Sequence, residues 1–217
     1  MIHFAVAVVC FLLLHSLPAR PAWRARLVSA VGERTYLVAY SVLSVVLLVW
    51  VIRAALAAPY VALWPPAAWQ AWVAMMGTAP AFAVLGAAAL QPNPLSAAFV
   101  TGDFDPDRPG IVGLLRHPVL FGAGLWALAH LPANGDVVSV VLFGGLALFA
   151  AGGTFLLDRR HRRRLGENAW HDLDQARRGV RPDARMIVGA MAGLAAWFAM
   201  VLGLHEWLFG VGPLTYL

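Results

Sequence analysis

Apolar residues run in long blocks along this chain, and six blocks have the length and apolarity of membrane-spanning helices: residues 2 to 17, 35 to 57, 67 to 90, 112 to 132, 137 to 157 and 184 to 207. A helix that crosses the hydrocarbon core needs about 20 such residues. The first and fourth blocks are marginal by that measure. The fourth is also interrupted by Arg116, Pro118 and Pro132, which predicts a kinked, tilted or partly re-entrant helix packed within protein. Between the first two blocks, RPAWRARLVSAVGER (residues 20 to 34) sets apolar residues at helical spacing with arginines between them. That pattern fits a short helix lying in the membrane interface. Residues 159 to 180 are expected to extend the fifth span as a cytoplasmic helix. No internal repeat, low-complexity tract or linker divides the chain. The expected architecture is therefore all-α: a polytopic integral membrane bundle of about six transmembrane helices, with residues 1–217 as one domain and a basic cytoplasmic segment at 158–185.

Composition agrees with the block pattern. Hydrophobic residues make up 61% of the chain and charged ones 12%, and mean hydropathy is +0.73, far from the balance of a soluble domain. The lipid bilayer is thus the first partner. All 16 basic residues are arginine, so the net charge of +5 resides on guanidinium groups that bind headgroup phosphates well. A nucleic-acid binder would hold those charges on a soluble face; here they lie between apolar spans, which excludes nucleic acid as a partner.

The arginines are distributed unevenly. Arg20, Arg24, Arg26 and Arg34 follow the first span and DRRHRRRLGENAWHDLDQARRGVRPDAR (158 to 185) follows the fifth, while PYVALWPPAAWQ and LPANGD carry almost no charge. Short cytoplasmic loops are enriched in arginine, so both termini are expected to be periplasmic. The acidic loop QPNPLSAAFVTGDFDPDRPG counts little in that rule. No positive residue precedes the first apolar run, so residues 1 to 15 are expected to remain rather than be cleaved as a signal. Trp23, Trp64, Trp69, Trp72 and Trp207 fall near the predicted interfaces, as an aromatic belt would place them.

Seven histidines supply the only obvious ligand or acid–base chemistry inside the apolar blocks. His3 and His205 sit near outer span ends within reach of interfacial water, and His161 and His171 lie among charges. That leaves His15, His117 and His130 within or at the edges of apolar runs, where a retained polar group is a candidate functional group. Any one of them alone reads as a satisfied structural histidine. Three together point to metal chemistry, since neutral imidazole ligates iron well and haem is an apolar disc suited to a bundle core. There is no CxxCH, and Cys10 is the only cysteine, so a haem here would be non-covalent. The HExxH pattern of zinc sites is missing, and DFDPDR (103 to 108) lacks the glycine and closing glutamate of a calcium loop.

Arg116 at the cytoplasmic edge has three candidate partners: a haem propionate, a cofactor carboxylate or a lipid phosphate. Asn134 and Asp136 belong to an NGD turn. Depth separates the histidines: His15 and His117 fall near the arginine-rich face, while His130 is thirteen residues beyond His117, about 20 Å along a helix. Depth alone would pair His15 with His117.

LLRHPVLFGAGLWALAHLPANGD (114 to 136), FLLLHSLPARPAWRARLVSAVGERTYLVAYSVL (11 to 43) and FLLDRR (155 to 160) resemble the NnrU family of bacterial membrane proteins. The same pattern is similar to that of 15-cis-zeta-carotene isomerase, in which a b-type haem held by histidines supports cis-to-trans isomerisation. By that resemblance His15 and His130 match the axial ligands, and His117 is the histidine of the RHP motif. Where that relative carries a cysteine three residues before the later histidine, this chain has Ala127, which tells against ligand exchange through that position. The family resemblance implies a bacterial inner membrane location and an association with denitrification, in nitrite and nitric oxide reduction. It also implies haem b as cofactor, and either a hydrophobic polyene substrate or the denitrification reductase machinery as partner.

A more distant similarity is to membrane methyltransferases of the isoprenylcysteine carboxyl methyltransferase type. Those carry RHPxYxG followed, after the next span, by an acidic residue and a basic segment ending in proline, together holding S-adenosylmethionine. Here RHPVLFG has Leu120 in place of the tyrosine, with Asp158, Glu167 and Pro182 in a loosely matching layout. A non-catalytic assembly factor is the third class that the sequence allows.

Overall fold

The computed structural model describes residues 1–18, 20–100, 102–179 and 181–216. These form two compact units, Met1–Val61 and Ala62–Leu217. Both are helical, and among the described residues the only β pairing is an isolated bridge between Ala62 and Asp136.

The first unit contains α1 (Ile2–Ser16), α2 (Pro21–Val31) and α3 (Glu33–Leu56). Leu17 closes α1, still with helical torsions and donating to the Leu13 carbonyl at 2.9 Å, and Pro18 follows it with no N–H to continue the ladder. Pro21 opens α2, where its fixed φ and missing N–H cost nothing. Between α2 and α3 stands Gly32 with φ 83° and ψ 156°, a conformation open essentially to glycine alone. Arg24 reaches across this corner to Glu33 at 2.7 Å. Helix α1 packs on α3, burying Phe4, Ala7, Tyr36, Leu47, Val51 and Ala54. The short helix expected within residues 20 to 34 is thus observed as α2, ending at the Gly32 corner.

The second unit holds α4 (Ala68–Ala89), α5 (Gly110–Leu114), α6 (Pro118–Ala133), α7 (Val137–Leu165), α8 (Glu167–Ala176) and α9 (Ala184–Ala199). A wide π turn (Met200–Leu204) then leads into α10 (His205–Phe209). Helix α4 lies between α6 and α9, and α7 packs on α6. Backbones meet closely where α4 crosses α9: a Cβ on Gly86 would collide with the Gly189 carbonyl and the Gly193 backbone, and one on Gly193 with the Phe82 carbonyl. Small residues at a crossing let helices approach and gain van der Waals contact, which lipid surroundings reward because they offer no other drive for association. Helix α7 starts on a cap, since Asp136 accepts from the Val138 and Ser139 amides. Asp183 caps α9 through Met186 N–H.

Against the six spans expected, the described residues contain four helices long and apolar enough to cross a membrane: α3, α4, α7 and α9 continued through α10, or five if α1 and α2 form one bent span. The shortfall has a simple reason in length. Helix α1 has 15 residues and α6 has 16, which at 1.5 Å per residue reach about 22 to 24 Å against a core of about 30 Å. The fourth block is broken rather than merely kinked, with Leu115, Arg116 and His117 between α5 and α6 and Pro118 opening α6. The expected helix over 159 to 180 is also corrected. Helix α7 continues to Leu165, Gly166 (φ 84°, ψ 156°) turns the chain, and α8 comes next.

Only 6% of the apolar stretch of α7 and 11% of that of α9 are buried against protein. Surfaces this apolar need a lipid solvent.

Candidate functional site

The second unit has two chemically distinct ends. At one, the break before α6 meets the ends of α7 and α8. Arg116 donates to Asp158 on α7 at 2.5 Å and to Asp174 on α8 through Nε at 2.9 Å and a terminal nitrogen at 3.3 Å. Its backbone carbonyl accepts from Asn93 Nδ2 at 2.9 Å, which holds the broken segment in place. Asp174 is 1% exposed and also accepts from Arg177 at 2.7 Å and Arg178 at 2.9 Å. Burial by itself would push this carboxyl up, but hydrogen bonds from Arg178 and Arg177 and the charges of Arg177 and Arg116 outweigh it and hold it at about 2. Arg177 passes the linkage on, donating to the Val112 carbonyl of α5 at 2.9 Å.

His117 belongs to the same cluster. Its Nδ1 lies 2.8 Å from Ser96 Oγ and its Nε2 3.0 Å from Asp158 Oδ1. In the neutral ring, Nε2–H donates to the carboxylate and the serine hydroxyl donates to Nδ1, so both nitrogens are engaged. The Arg116 and Arg162 guanidiniums both lie over the Trp170 ring of α8, 4.8 and 4.0 Å from its centre. Its buried Nε1 has no partner among the described residues. A cleft of about 420 Å³ lined by Phe155, Asp158, Arg159, Arg162 and Arg163 opens beside the cluster.

At the other end, the last turn of α6 carries His130. Nδ1–H of this ring donates to the Trp126 carbonyl at 2.8 Å, which leaves Nε2 with the lone pair. The ring is walled by Trp126 and Phe143, at 4.4 and 4.8 Å between centroids. The Asn134 side chain donates to the His130 carbonyl at 2.7 Å, and Trp64 Nε1 donates to the Pro132 carbonyl at 2.9 Å. These bonds fix the end of α6. Asn134 and Asp136 are thus more than turn residues, since they also hold the helix ends on either side.

His15 lies in the first unit. Its Nδ1 is 3.0 Å from Ser44 Oγ, its ring stacks on Phe11 and Tyr40, and its carbonyl accepts from the Tyr40 hydroxyl at 2.8 Å.

Of the four residues expected at the site, Arg116 and His117 come together on Asp158, and His130 stands at the opposite end of α6. Arg116, a candidate partner for propionate or lipid phosphate, is held by two carboxylates. Asp158 was legible as the acidic residue after the fifth span, but not as the bridge between Arg116 and His117. Asp174 had a signal, since Arg177 and Arg178 come at i+3 and i+4 on one helical face. Ser96 and Trp170 had none, because their partners are far away in sequence.

Helices with bare apolar faces, ending in one ionic and one aromatic-lined histidine cluster, define an α-helical integral membrane protein. The NnrU protein family model matches residues 3–213. The chain belongs to that family. No curated protein and no solved structure matches it.

Proposed function

We propose that this NnrU-family protein binds haem b non-covalently in its second unit, with His130 as an axial ligand, and that it serves nitrite and nitric oxide reduction in the bacterial inner membrane. The observation that carries the reading is the state of the His130 ring. Its Nδ1–H is committed to a backbone carbonyl at 2.8 Å, the arrangement that fixes the tautomer and raises the basicity of the ligating Nε2. Trp126 and Phe143 offer the apolar walls that a porphyrin edge requires, and buried Ala127 and Ala129 keep the adjoining helix surface small.

His117 fits less well, because Ser96 and Asp158 occupy both of its nitrogens. It reads better as a positioning residue for the ionic cluster. Arg116, held by Asp158 and Asp174, is no propionate partner for a group bound at His130. When bound, the haem would supply one-electron redox chemistry. The chain's residues would ligate the iron, hold the ligating ring by its bond to the Trp126 carbonyl and exclude water.

The test is spectroscopic. The full chain, purified in detergent from cells supplied with iron and a porphyrin precursor, is expected to show a Soret band that shifts on reduction by dithionite. His130→Ala should lose most of it, and His117→Ala should keep it. A colourless wild-type protein that also fails to take up added hemin overturns the reading. Saturable S-adenosylmethionine binding in its place would favour the methyltransferase class, and co-purification with a reductase and no cofactor would favour an assembly factor.

A further inference from the structure

The cleft beside the ionic cluster is lined by a single stripe of α7. Phe155, Asp158, Arg159, Arg162 and Arg163 recur at steps of three and four residues, so at about 3.6 residues per turn they share one face of the helix. Arg160 and Arg164 fall on the opposite side. Towards the middle of α7 the stripe continues through Leu148, Ala151 and Gly152. Leu148 and Phe155 are exposed, and a Cβ on Gly152 would meet nothing within 4 Å. Only 6% of this apolar stretch is buried against protein, so the face needs hydrocarbon against it. Past Phe155 the same face turns cationic. The cleft of about 420 Å³ thus stands where the apolar part of the helix gives way to arginine, the level at which headgroup phosphates lie.

The charge within the cleft is positive. Asp158 is its one acidic lining residue, and both of its oxygens are taken, one by Arg116 and the other by His117. Arg162 is already placed, with its guanidinium 4.0 Å from the Trp170 ring centre. Its contact with Glu167, at 3.3 Å between exposed side chains, is worth little in water. Arg159 and Arg163 have no carboxylate partner among the described residues. Three guanidiniums therefore border one small volume, and their mutual repulsion is relieved by an anion between them. A phosphate monoester matches them, with a charge of about −2 and three terminal oxygens for charge-assisted hydrogen bonds. A phosphodiester offers a single charge and two free oxygens.

We propose that this cleft binds a phospholipid with a phosphate monoester headgroup, of the phosphatidate class. The phosphate is held by Arg159, Arg162 and Arg163, and an acyl chain lies along Phe155, Gly152 and Leu148. Through Arg162 and Trp170 an occupied site would steady α8, which carries Asp174. The site is at the opposite end of the second unit from His130 and does not rest on the haem reading.

Native mass spectrometry of the full chain in detergent tests the site, with dioleoyl phosphatidate, phosphatidylglycerol or phosphatidylcholine added at equal concentration. Wild type is expected to retain phosphatidate with about tenfold preference over phosphatidylglycerol and to retain no phosphatidylcholine. Arg159→Gln combined with Arg163→Gln should abolish that preference. Arg160→Gln combined with Arg164→Gln removes the same charge from the other side of α7 and should keep it. Glycerol 3-phosphate, which has the headgroup without chains, should compete only at far higher concentration. Equal retention of phosphatidate and phosphatidylglycerol by wild type overturns the proposal without any variant. So does equal loss in the two double variants, which would make net charge rather than the cleft the cause. Displacement of the lipid by glycerol 3-phosphate at matching concentration also overturns it, since the ligand would then be a soluble phosphate. Unfolding temperatures of both double variants without lipid separate loss of the site from loss of the fold.

Discussion

Asp174 is held by three arginines at once. It is nearly inaccessible and accepts from Arg116, Arg177 and Arg178. A buried carboxylate depends on its partners, because removal of either side leaves an uncompensated charge. Its folded-state value of about 2 lies below the ordinary 3.8. The resulting stabilisation is complete above about pH 4 and fades as pH falls towards about 2, a change on the order of 2 kcal/mol. Thermal unfolding in detergent should show wild type losing stability over that window. Asp174→Asn should unfold at lower temperature near neutral pH and show a flatter acid profile. An acid slope for Asp174→Asn as steep as that of wild type would remove the assignment.

At this scale the sequence was partly readable. The Asp174, Arg177 and Arg178 spacing on one helix face was open to inspection, as was the chemistry of His130. The bond from Ser96 to His117, 21 residues apart, and the approach of His205 to His130 were not. Both depend on how the chain returns after turns whose geometry no local pattern specifies.

Among elements, the apolar blocks were legible because hydrophobic length is a property of the chain itself. The break before α6 was only half legible. Pro118 marks a boundary, but Asn93, Asp158 and Asp174 hold the Arg116 segment out of helix, and they act from a distance. The contact between α4 and α9 was not legible, since its glycines look like those of α7. The structure separates the two sets. A Cβ on Gly86 meets backbone on α9, whereas Gly144 has open space around it. Gly86→Ala should therefore cost about 1 to 3 kcal/mol by overpacking. Gly144→Ala should be neutral or stabilise by up to about 1 kcal/mol through helix propensity. Equal unfolding temperatures for the two variants would show that the crossing is not close-packed.

For the molecule as a whole, the arginines divide the second unit into an arginine-rich end and an arginine-free end that holds His130 and His205. The positive-inside tendency then expects the corner between α7 and α8 to face the cytoplasm and the loop before α4 to face outwards. In a Cys10→Ser background, a membrane-impermeant maleimide should label Pro66→Cys in intact cells and Asn168→Cys only after permeabilisation. The reverse pattern would invert the orientation. The sequence indicated a membrane bundle and its charge asymmetry, while the described residues give four or five helices long enough to span, because α1 and α6 have only 15 and 16 residues.

The corners at Gly32 and Gly166 share nearly the same torsions, φ 83° and 84° with ψ 156°, and neither has an atom that a Cβ would touch. Spaciousness there is deceptive. Every other amino acid would be refused by the peptide's own rotation, so two of the emptiest places in the fold are as closed to evolutionary drift as any crowded one.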